Sequence, residues 1–594
     1  MPLIVQKFGG TSVADSEKIL AAARKAIRAQ QQGNQVVMVV SAMGHNTDQL
    51  IELAHKITDR PPAREMDMLL STGEQVSVAL MAMAVHSLGY KAVSLTGAQI
   101  GIKTDSKHTK ARIRSILTDR VRRLLDEGHI VIAAGFQGID EEFNITTLGR
   151  GGSDTTAVAL AAVLQADACE IYTDVDGVYT TDPRLVPEAR RVDQISYDEM
   201  LELASLGAGV MHNRSIEFAK KFGVAIHVRS SITDAPGTMI VAEPESADQA
   251  VCGAALMKDE SRVSVLGVPD VPGTSLEVFS RIADRNISVD MIVQNVGERG
   301  RADISFTVPR LELQLTLEAV REATRVVSAA DVNFDENVAK VSVVGLGMAR
   351  QAGVAHKMFR ALADTGTNIE MISTSEIKIS VLVQRDKALQ ALRAVHQSFQ
   401  LHQPPPPRPA TAERPAGRFV PDAATIVSRL QGMDMEELTI DDISLDETQA
   451  CITIPGVPDI PGVAATIFEE VAAAGVFVDM IVQSCNGRKD QASLSFTVPQ
   501  DRLETTLAVV NRLAPQFHCQ PVAHSPQVAK LSVAGVGLRS HAGVAVRMFR
   551  ALAEAGINVD LISTSEVLVN VVVEGPRGRQ ALHRLQDAFA DALH

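Results

Sequence analysis

The stretch Lys7-Phe8-Gly9-Gly10-Thr11-Ser12 joins a short apolar run, 3–5, to a segment with helical periodicity that begins near Ser16. Glycine lets the backbone come close to a ligand, and the unpaired N–H groups of a helix N-terminus attract anions. Lys7 adds a positive charge at the same place. The order differs from the G-x-x-x-x-G-K-[ST] loop, in which the lysine follows the glycines. The stretch therefore predicts an anion site at a strand end, with a structural role for the lysine as the alternative.

A second glycine-rich stretch, Gly149-Arg150-Gly151-Gly152-Ser153-Asp154, precedes an apolar helix that we predict over 157–165. Its glycines and hydroxyl again open a helix, now with a cation and a carboxylate beside them. Two anion-binding helix starts in one domain favour a ligand with phosphate at one end and another polar group at the other.

Residues 1 to about 240 alternate short apolar runs with helical patterns. Such alternation predicts a largely parallel sheet covered by helices on both faces, hence an α/β fold, with ligands at the carboxyl ends of the strands. The predicted strands are 36–40, 93–95, 129–134 and 170–173, and the predicted helices 16–32, 47–56 and 77–88. Residues just after predicted strands include Lys7, Ser41, Phe136, Thr173 and Asp174.

The C-terminal half contains an internal repeat at an offset of 189, and later 190, residues. Gly267-Val268-Pro269-Asp270 returns as Gly456-Val457-Pro458-Asp459, and Ile372-Ser373-Thr374-Ser375-Glu376 returns as Ile562-Ser563-Thr564-Ser565-Glu566. Each copy holds two strand–helix–strand halves, so we predict four small modules. The proline-rich segment 403–418 predicts a semi-rigid spacer between the copies.

The composition indicates a protein with packed cores and an acidic surface. The chain has 594 residues, of which 46% are hydrophobic, and a formal charge of −14. This charge argues against nucleic acid as a partner. No apolar run approaches a membrane span, and the first residues form a predicted strand, not a signal peptide. The five cysteines lack a C-x-x-C spacing, which predicts the reducing cytoplasm and neither a disulfide framework nor a zinc site.

Together with the two glycine-rich stretches, Ser71-Thr72-Gly73-Glu74, the segment 172–180 (YTDVDGVYT) and Asp182-Pro183-Arg184 resemble the aspartate kinases over about residues 1–240. The resemblance implies the amino-acid kinase fold, followed here by modules that resemble the ferredoxin-like α+β ACT domains. It implies a catalytic domain over 1–245, ACT modules over 246–336, 337–402, 419–525 and 526–594, and a spacer over 403–418. Strands near 251–256 and 437–443 precede the first module of each pair but are expected to join the sheet of the second.

The resemblance also implies a reaction: ATP and L-aspartate give 4-phospho-L-aspartate and ADP with Mg²⁺, the first step of lysine, threonine and methionine biosynthesis. Lys7 and Asp154 are the expected catalytic residues, and no residue set is expected to hold a metal. Nucleotide contacts are expected from Lys7, Phe8, Gly9, Gly10, Ser41, Thr173, Asp174, Tyr179 and Arg184. Aspartate contacts are expected from Thr47, Glu74, Phe136, Arg150, Gly151, Gly152 and Ser153. Without the resemblance, Glu74 could equally be an exposed carboxylate at a helix start.

Feedback inhibition by lysine, threonine or both is implied through the ACT modules, as is a homodimer or higher homo-oligomer. The expected effector contacts are Asp270, Gln294, Ser375, Glu376, Asp459, Gln483, Ser565 and Glu566. Many members carry a lysine where this chain has Gly209, and Arg214, Lys220 or Lys221 is the expected replacement. Two alternatives remain: a kinase of glutamate or an acylated amino acid, and a non-catalytic amino-acid sensor.

Overall fold

The structure is a computed structural model, and it describes residues 1–207, 209–246, 249–296, 300–405, 435–485, 491–538 and 543–593. Most of the predicted spacer, residues 406–418, lies outside the described residues, as does Ala208 in the segment that departs from the family pattern. The structural statements that follow concern the described residues.

The N-terminal part alternates helices and strands. Its helices are α1 Ser16–Gln31, α2 Asn46–Ile57, α3 Ala63–Ser87, α4 Gly97–Ile100, α5 Asp119–Asp126, α6 Gly152–Leu164, α7 Tyr197–Ser205 and α8 Asn213–Phe222. Its strands are β1 Leu3–Phe8, β2 Gln35–Val40, β3 Ala92–Leu95, β4 Ile102–Thr104, β5 Ile113–Ile116, β6 Ile130–Ala134, β7 Gln137–Ile139, β8 Ile145–Thr147, β9 Ala168–Thr173, β10 Gln194–Ser196, β11 Ile226–Ser230 and β12 Thr238–Val241.

Eight described strands form one sheet in the order β10-β12-β11-β9-β1-β2-β6-β3. The pairs are parallel except β11 with β12. Side chains alternate between two cores: Val37 and Val39 join the core of α6, whereas Met38 and Val40 join that of α1 and α3. Both faces are therefore buried, as expected for a parallel sheet. A smaller sheet, β5-β4-β7-β8, lies beside it.

The C-terminal part repeats one pattern of strands and helices. Its helices are α9 Thr274–Ala283, α10 Leu313–Val327, α11 Val354–Asp364, α12 Ala388–Ser398, α13 Val463–Ala473, α14 Leu503–Leu513, α15 Val544–Glu554 and α16 Gly578–Ala588. Its strands are β13 Gly253–Pro269, β14 Asp290–Val296, β15 Arg301–Pro309, β16 Asp331–Val344, β17 Met371–Thr374, β18 Lys378–Gln384, β19 Thr439–Pro458, β20 Ile481–Cys485, β21 Gln491–Pro499, β22 Ala523–Val536, β23 Leu561–Thr564 and β24 Leu568–Glu574.

These strands form a continuous sheet in the order β14-β15-β13-β16-β18-β17-β20-β21-β19-β22-β24-β23. The first part of β13, from Gly253 to Met257, pairs with β16, and its later part pairs with β15 on one side and again with β16 on the other. In the second copy, β19 pairs with β22 and, in its later part, also with β21. One long strand thus joins the two modules of each copy.

The two copies also pack on each other, which the sequence did not predict. Phe279 of the first module lies 5.7 Å from Phe549 of the fourth, measured between ring centroids. Phe359 of the second lies 5.6 Å from Phe468 of the third. The first module therefore faces the fourth, and the second faces the third.

One described helix, α3, is long and apolar enough to cross a membrane by length and composition alone, contrary to the expectation that no segment would be. However, 56% of its apolar window is buried inside the protein, and a buried core helix passes the same test. The predicted helix over 77–88 was wrong at its start, since α3 begins at Ala63. Buried polar residues such as Glu74 interrupt the apolar periodicity of its first turns.

Candidate functional site

Lys7 lies near the carboxyl end of β1, on the face that packs against α6. Leu3 and Val5 point to the same core as α6, and the two-residue period of a strand carries Lys7 to that face. Its Nζ lies 2.5 Å from Oδ1 of Asp154, in the first turn of α6. Only 11% of the Lys7 side chain and 12% of the Asp154 side chain are exposed. The two glycine-rich stretches therefore meet at one buried ion pair.

Gly9 and Gly10 form the turn after β1. A Cβ on Gly10 would lie 2.8 Å from the carbonyl oxygen of Ala42, so no larger residue fits there without movement. The expectation that these glycines open α1 was wrong, because they open a short 3-10 turn, Gly10–Val13. Asp15 caps α1 by accepting from the N–H of Lys18 at 2.9 Å. Any anion here meets the turn and Lys7, not the N-terminus of α1.

The second stretch forms the open N-terminus of α6, which begins at Gly152 and not at 157 as predicted. Gly151 has a φ of 71°, no side chain caps the helix, and a Cβ on Gly151 would lie 2.3 Å from Cβ of His212. Phe136 also adopts a positive φ, 69°, at the turn after β6. Its N–H donates to the hydroxyl of Thr156 at 3.2 Å, which ties this strained turn to α6.

Glu74 lies inside α3 and is 4% exposed, so the alternative of an exposed carboxylate at a helix start is wrong. Oε1 accepts from the N–H of Ala42 at 3.1 Å. Oε2 is buried and has no hydrogen-bond partner among the described residues. Burial raises the pKa of Glu74 from 4.5 to about 7, against the opposing effect of the Ala42 N–H. A buried carboxylate oxygen without a partner can accept a hydrogen bond from a ligand, for example from an ammonium group.

One cavity of about 1080 Å³ is lined both by residues expected to contact the nucleotide, such as Lys7, and by residues expected to contact aspartate, such as Glu74. It is of a size suited to small-molecule substrates. Among its lining residues, Arg150 is exposed, whereas Ser41 and Thr47 are half-buried. The predicted site residues that line it are Lys7, Gly10, Ser41, Thr47, Glu74, Phe136, Arg150, Gly151, Gly152, Ser153 and Asp154.

The other expected nucleotide contacts do not line this cavity: Phe8 and Gly9 lie at and after the end of β1, and the rest lie in and after β9. Gly9 directly precedes Gly10, which lines the cavity, and its N–H donates to the carbonyl of Tyr172 at 3.4 Å. Tyr179 donates to Asp176 at 2.7 Å, and Arg184 makes a bidentate ion pair with Asp182 while its side chain stays 88% exposed. Thr173 ends β9, which pairs with β1, and the nucleotide contacts of Asp174, Tyr179 and Arg184 stay a prediction.

Each of the three candidate replacements for the missing lysine is paired within the chain, although Arg214 and Lys221 also line the large cavity. Arg214 is bound to Glu436, Lys220 lies 2.7 Å from Asp198, and Lys221 donates to the carbonyl of Glu437 at 2.9 Å. Gly209 itself borders a second cavity of about 810 Å³, which shares Arg150 and Asp154 with the first.

Asp67 is a site residue that the sequence analysis missed. It is fully buried on α3 and accepts from the Thr109 N–H at 3.0 Å and the Thr147 hydroxyl at 2.5 Å. Its other oxygen lies 2.7 Å from Nδ1 of His108. Thr109 and Thr147 line the large cavity, so Asp67 holds part of its wall. A single aspartate within a helical pattern gives no sequence signal of such a role.

The expected effector residues divide among four places. Asp270 accepts from the side chain of Asn558 at 2.7 Å, and Gln294 donates to the carbonyl of Val559 at 2.6 Å. Asp459 and Gln483 make the equivalent contacts with Asn368 and Ile369, at 2.8 and 3.0 Å. Two equivalent junctions therefore lie between facing modules, first with fourth and second with third.

Ser375 and Glu376 line a separate cavity of about 180 Å³ between the second and third modules. The hydroxyl oxygen of Ser375 is buried without a partner among the described residues. Their repeat equivalents differ: Glu566 is 2% exposed, its N–H donates to Glu202 at 2.8 Å, and its carboxylate accepts from Asn213 at 3.0 Å. Ser565 and Glu566 line a cavity of about 540 Å³ of their own, to which the catalytic domain contributes Lys107 and Arg112.

A mainly parallel sheet with glycine turns and an open helix start around one lysine defines a small-molecule kinase of the amino-acid kinase fold. The amino acid kinase family model matches residues 2–230, and ACT domain models match 261–325, 341–399, 452–513 and 531–589.

Among proteins of known function, the aspartate kinase of Pseudomonas putida is 51% identical over 406 residues, which are 68% of this chain and 99% of that protein. The aspartokinase of Corynebacterium glutamicum is 49% identical over 407 residues, 68% of this chain and 97% of that protein. The structure of aspartate kinase from Synechocystis is 41% identical, with a TM-score of 0.52, and covers 99% of this chain and 98% of that one. The chain belongs to the aspartate kinase family and is an ATP-dependent kinase.

Proposed function

We propose that the protein transfers the γ-phosphoryl group of ATP to the side-chain carboxylate of L-aspartate, the first step towards lysine, threonine and methionine. The observation that carries this proposal is the large cavity, which is lined by Lys7 and by Glu74, whose Oε2 has no hydrogen-bond partner among the described residues. A structure of E. coli aspartokinase III in complex with aspartate and ADP, 26% identical with a TM-score of 0.56, supports it.

The phosphate end of the cavity is the Lys7–Asp154 pair and the adjacent glycines. Lys7 would stabilise charge on the transferring group, and Asp154 would orient Lys7. Backbone N–H groups of the two glycine stretches would hold phosphate oxygens. The nucleotide contacts would be completed by Phe8, Ser41, Thr173, Asp174, Tyr179 and Arg184.

Mg²⁺ would arrive with the nucleotide and neutralise phosphate charge. Among the described residues, no group of three His, Cys, Asp or Glu side chains could hold a metal ion. Magnesium fits such a site, because it commonly binds substrate phosphates and only one or two carboxylates. Asp154, beside Lys7, is a carboxylate at the right end of the cavity.

The part of the cavity near Glu74 and Arg150 would bind aspartate through the charged groups of the substrate. Arg150 can hold a carboxylate with two parallel hydrogen bonds, and Oε2 of Glu74 can accept from the ammonium group. Thr47, Phe136, Gly151, Gly152 and Ser153 would complete this end. The reacting carboxylate has a usual pKa of about 4 and is ionised at pH 7, so no general base is needed. Catalysis would come from alignment and from charge stabilisation at the phosphoryl group.

The test is ATP-dependent acyl-phosphate formation by the purified chain, trapped with hydroxylamine, using aspartate, glutamate and N-acetylglutamate in parallel. We expect hydroxamate from aspartate alone. Equal rates with glutamate or its acylated form would support the alternative kinase. No product from any of the three would support the non-catalytic sensor.

We also propose that lysine and threonine inhibit through the module interfaces. E. coli aspartokinase III has been solved with lysine and aspartate, at 26% identity and a TM-score of 0.54. The cavity at Ser375 and Glu376 has the volume of a small ligand, about 180 Å³, and contains an unpartnered hydroxyl oxygen. The cavity at Asp459 measures only about 20 Å³, so a ligand there would have to open the junction.

The domain division given above, 1–245, 246–336, 337–402, 403–418, 419–525 and 526–594, remains our proposal for the whole chain. A homodimer or higher homo-oligomer through the ACT modules, without a membrane or nucleic-acid partner, is proposed with it. The cytoplasm is the proposed compartment, supported by the free thiols of Cys169, Cys252, Cys451 and Cys519.

A further inference from the structure

The segment just before β19 forms part of the wall of the catalytic cavity, although it belongs to the second repeat. Met435, Glu436 and Glu437 line the same cavity as Lys7 and Arg150. The N–H of Met435 donates to the carbonyl of Arg114 at 3.2 Å. The second repeat is therefore docked beside the substrate end of the cavity.

Glu436 has both carboxylate oxygens engaged with the catalytic domain. Oε2 accepts from Nε of Arg214, and Oε1 accepts from Nη2 of Arg214 at 2.7 Å. Oε1 also accepts from the N–H of Ile113 at 2.8 Å. Only 8% of the Glu436 side chain and 15% of the Arg214 side chain are exposed. The bidentate geometry fixes the plane of the guanidinium group.

The other donors of Arg214 hold the backbone of the catalytic domain. Nη1 donates to the carbonyl of Leu148, and Nη2 donates to the carbonyl of Ala111 at 2.6 Å. Leu148 directly precedes the Gly149-Arg150 turn. The orientation of Arg214 therefore sets where the turn carrying Arg150 begins.

We infer that Glu436 is a positioning residue for aspartate, acting through Arg214 on the Arg150 turn. This inference rests on the proposed contact between Arg150 and aspartate. Replacing the carboxylate by an amide would place an NH₂ group against the guanidinium donors, so Arg214 would lose its fixed plane. Because the Arg150 contact exists before and during phosphoryl transfer, the loss falls on KM for aspartate and not on kcat.

The experiment measures kcat, KM for aspartate and KM for ATP in the full chain and in Glu436→Gln. We expect KM for aspartate to rise about tenfold, in line with the loss of a charge-assisted hydrogen bond. We expect kcat and KM for ATP to stay within twofold. Glu470→Gln is the matched control, since Glu470 also pairs with an arginine of the second repeat, Arg512, but on an exposed surface.

A double-mutant cycle separates positioning from a general structural effect. If Glu436 acts through Arg214, adding Glu436→Gln to Arg214→Lys should not raise KM for aspartate further. The inference would be overturned if the two substitutions had fully additive effects on KM for aspartate. It would also be overturned if Glu436→Gln lowered kcat as much as it raised KM, lowered KM for aspartate, or had the same kinetics as Glu470→Gln. If Glu436→Gln unfolds at a lower temperature than the control, Glu436→Asp replaces it and should raise the same KM.

Arg150→Lys distinguishes this inference from the proposed site. A strong rise in KM for aspartate in Arg150→Lys, with none in Glu436→Gln, overturns only the role of Glu436. An unchanged KM for aspartate in Arg150→Lys overturns the placement of aspartate itself, and the inference with it.

Discussion

Glu74 is the residue whose titration should govern substrate binding. Its pKa is raised by burial to about 7, so a large fraction is protonated in the free protein near neutral pH. A protonated carboxyl cannot pair with the ammonium group of aspartate. Because the folded state holds this proton more tightly than the unfolded chain, the same shift lowers stability as the pH rises from about 4.5 to 7.

We therefore expect kcat/KM for aspartate to fall about tenfold per pH unit below pH 7, because this ratio reports ionisation in the free enzyme. Glu74→Gln should lower kcat/KM and remove the inflection near pH 7. Glu65→Gln, on the same helix but exposed beside Arg64, is the control and should keep the original profile. An unchanged inflection in Glu74→Gln would assign the titration to another group.

At the scale of single residues, the sequence predicted which side chains share the site better than how each is held. Lys7, Arg150 and Asp154 could be selected because two glycine-rich stretches with charged residues occur in one domain. The burial of Glu74 could not be predicted, because it depends on where α3 begins and on the packing of Ala42 against it. Asp67 was missed because its partners are distant in sequence.

At the scale of elements, the alternation of apolar runs and helical patterns predicted the parallel sheet, while helix boundaries depended on capping. The N-terminus of α1 is set by Asp15, five residues beyond Gly10, and not by the glycines. The strand pairing of β13 and β19 follows from the repeat, but the packing of facing modules depends on aromatic contacts between residues far apart in sequence.

The turn before α6 provides a test at this scale. Gly151→Ala should lower stability and raise KM for aspartate at least tenfold, since its Cβ would lie 2.3 Å from His212 and displace the Arg150 turn. Gly33→Ala is the control, because Gly33 also has a positive φ, 91°, but nothing lies within 4 Å of its Cβ. Kinetics in Gly151→Ala that match those of Gly33→Ala would show that the turn tolerates the contact.

At the scale of the whole molecule, the two copies of the repeat make different contacts with the catalytic domain. Glu202 of α7 accepts from Nζ of Lys378 at 2.9 Å and from the N–H of Glu566 at 2.8 Å. One buried carboxylate of the catalytic domain thus contacts the second and the fourth modules. The turn at Ser375 borders a cavity of about 180 Å³, and the turn at Ser565 borders one of about 540 Å³. The two equivalent cavities differ, since residues of the catalytic domain such as Lys107 and Arg112 line the one at Ser565.

This asymmetry predicts different effects for two equivalent substitutions. Glu376→Gln should raise the concentration of lysine or threonine needed for half-inhibition about tenfold, because it removes a charge from the proposed effector cavity. Glu566→Gln should reduce the extent of inhibition more than it weakens effector binding, measured by calorimetry, because it also weakens the contact with Asn213. Identical inhibition curves and binding constants in both variants would contradict the distinction.

The central claim is that one cavity transfers a phosphoryl group to aspartate with Lys7 as the charge-stabilising residue. The most direct test is the rate of aspartyl hydroxamate formation by the wild-type chain and by Lys7→Ala at saturating ATP, with aspartate varied. Loss of one preorganised donor to the developing charge typically costs ~10²–10³ in rate. We predict a fall in kcat of this size with KM for aspartate changed less than threefold. A Lys7→Ala protein that turns over within threefold of the wild type would contradict the account.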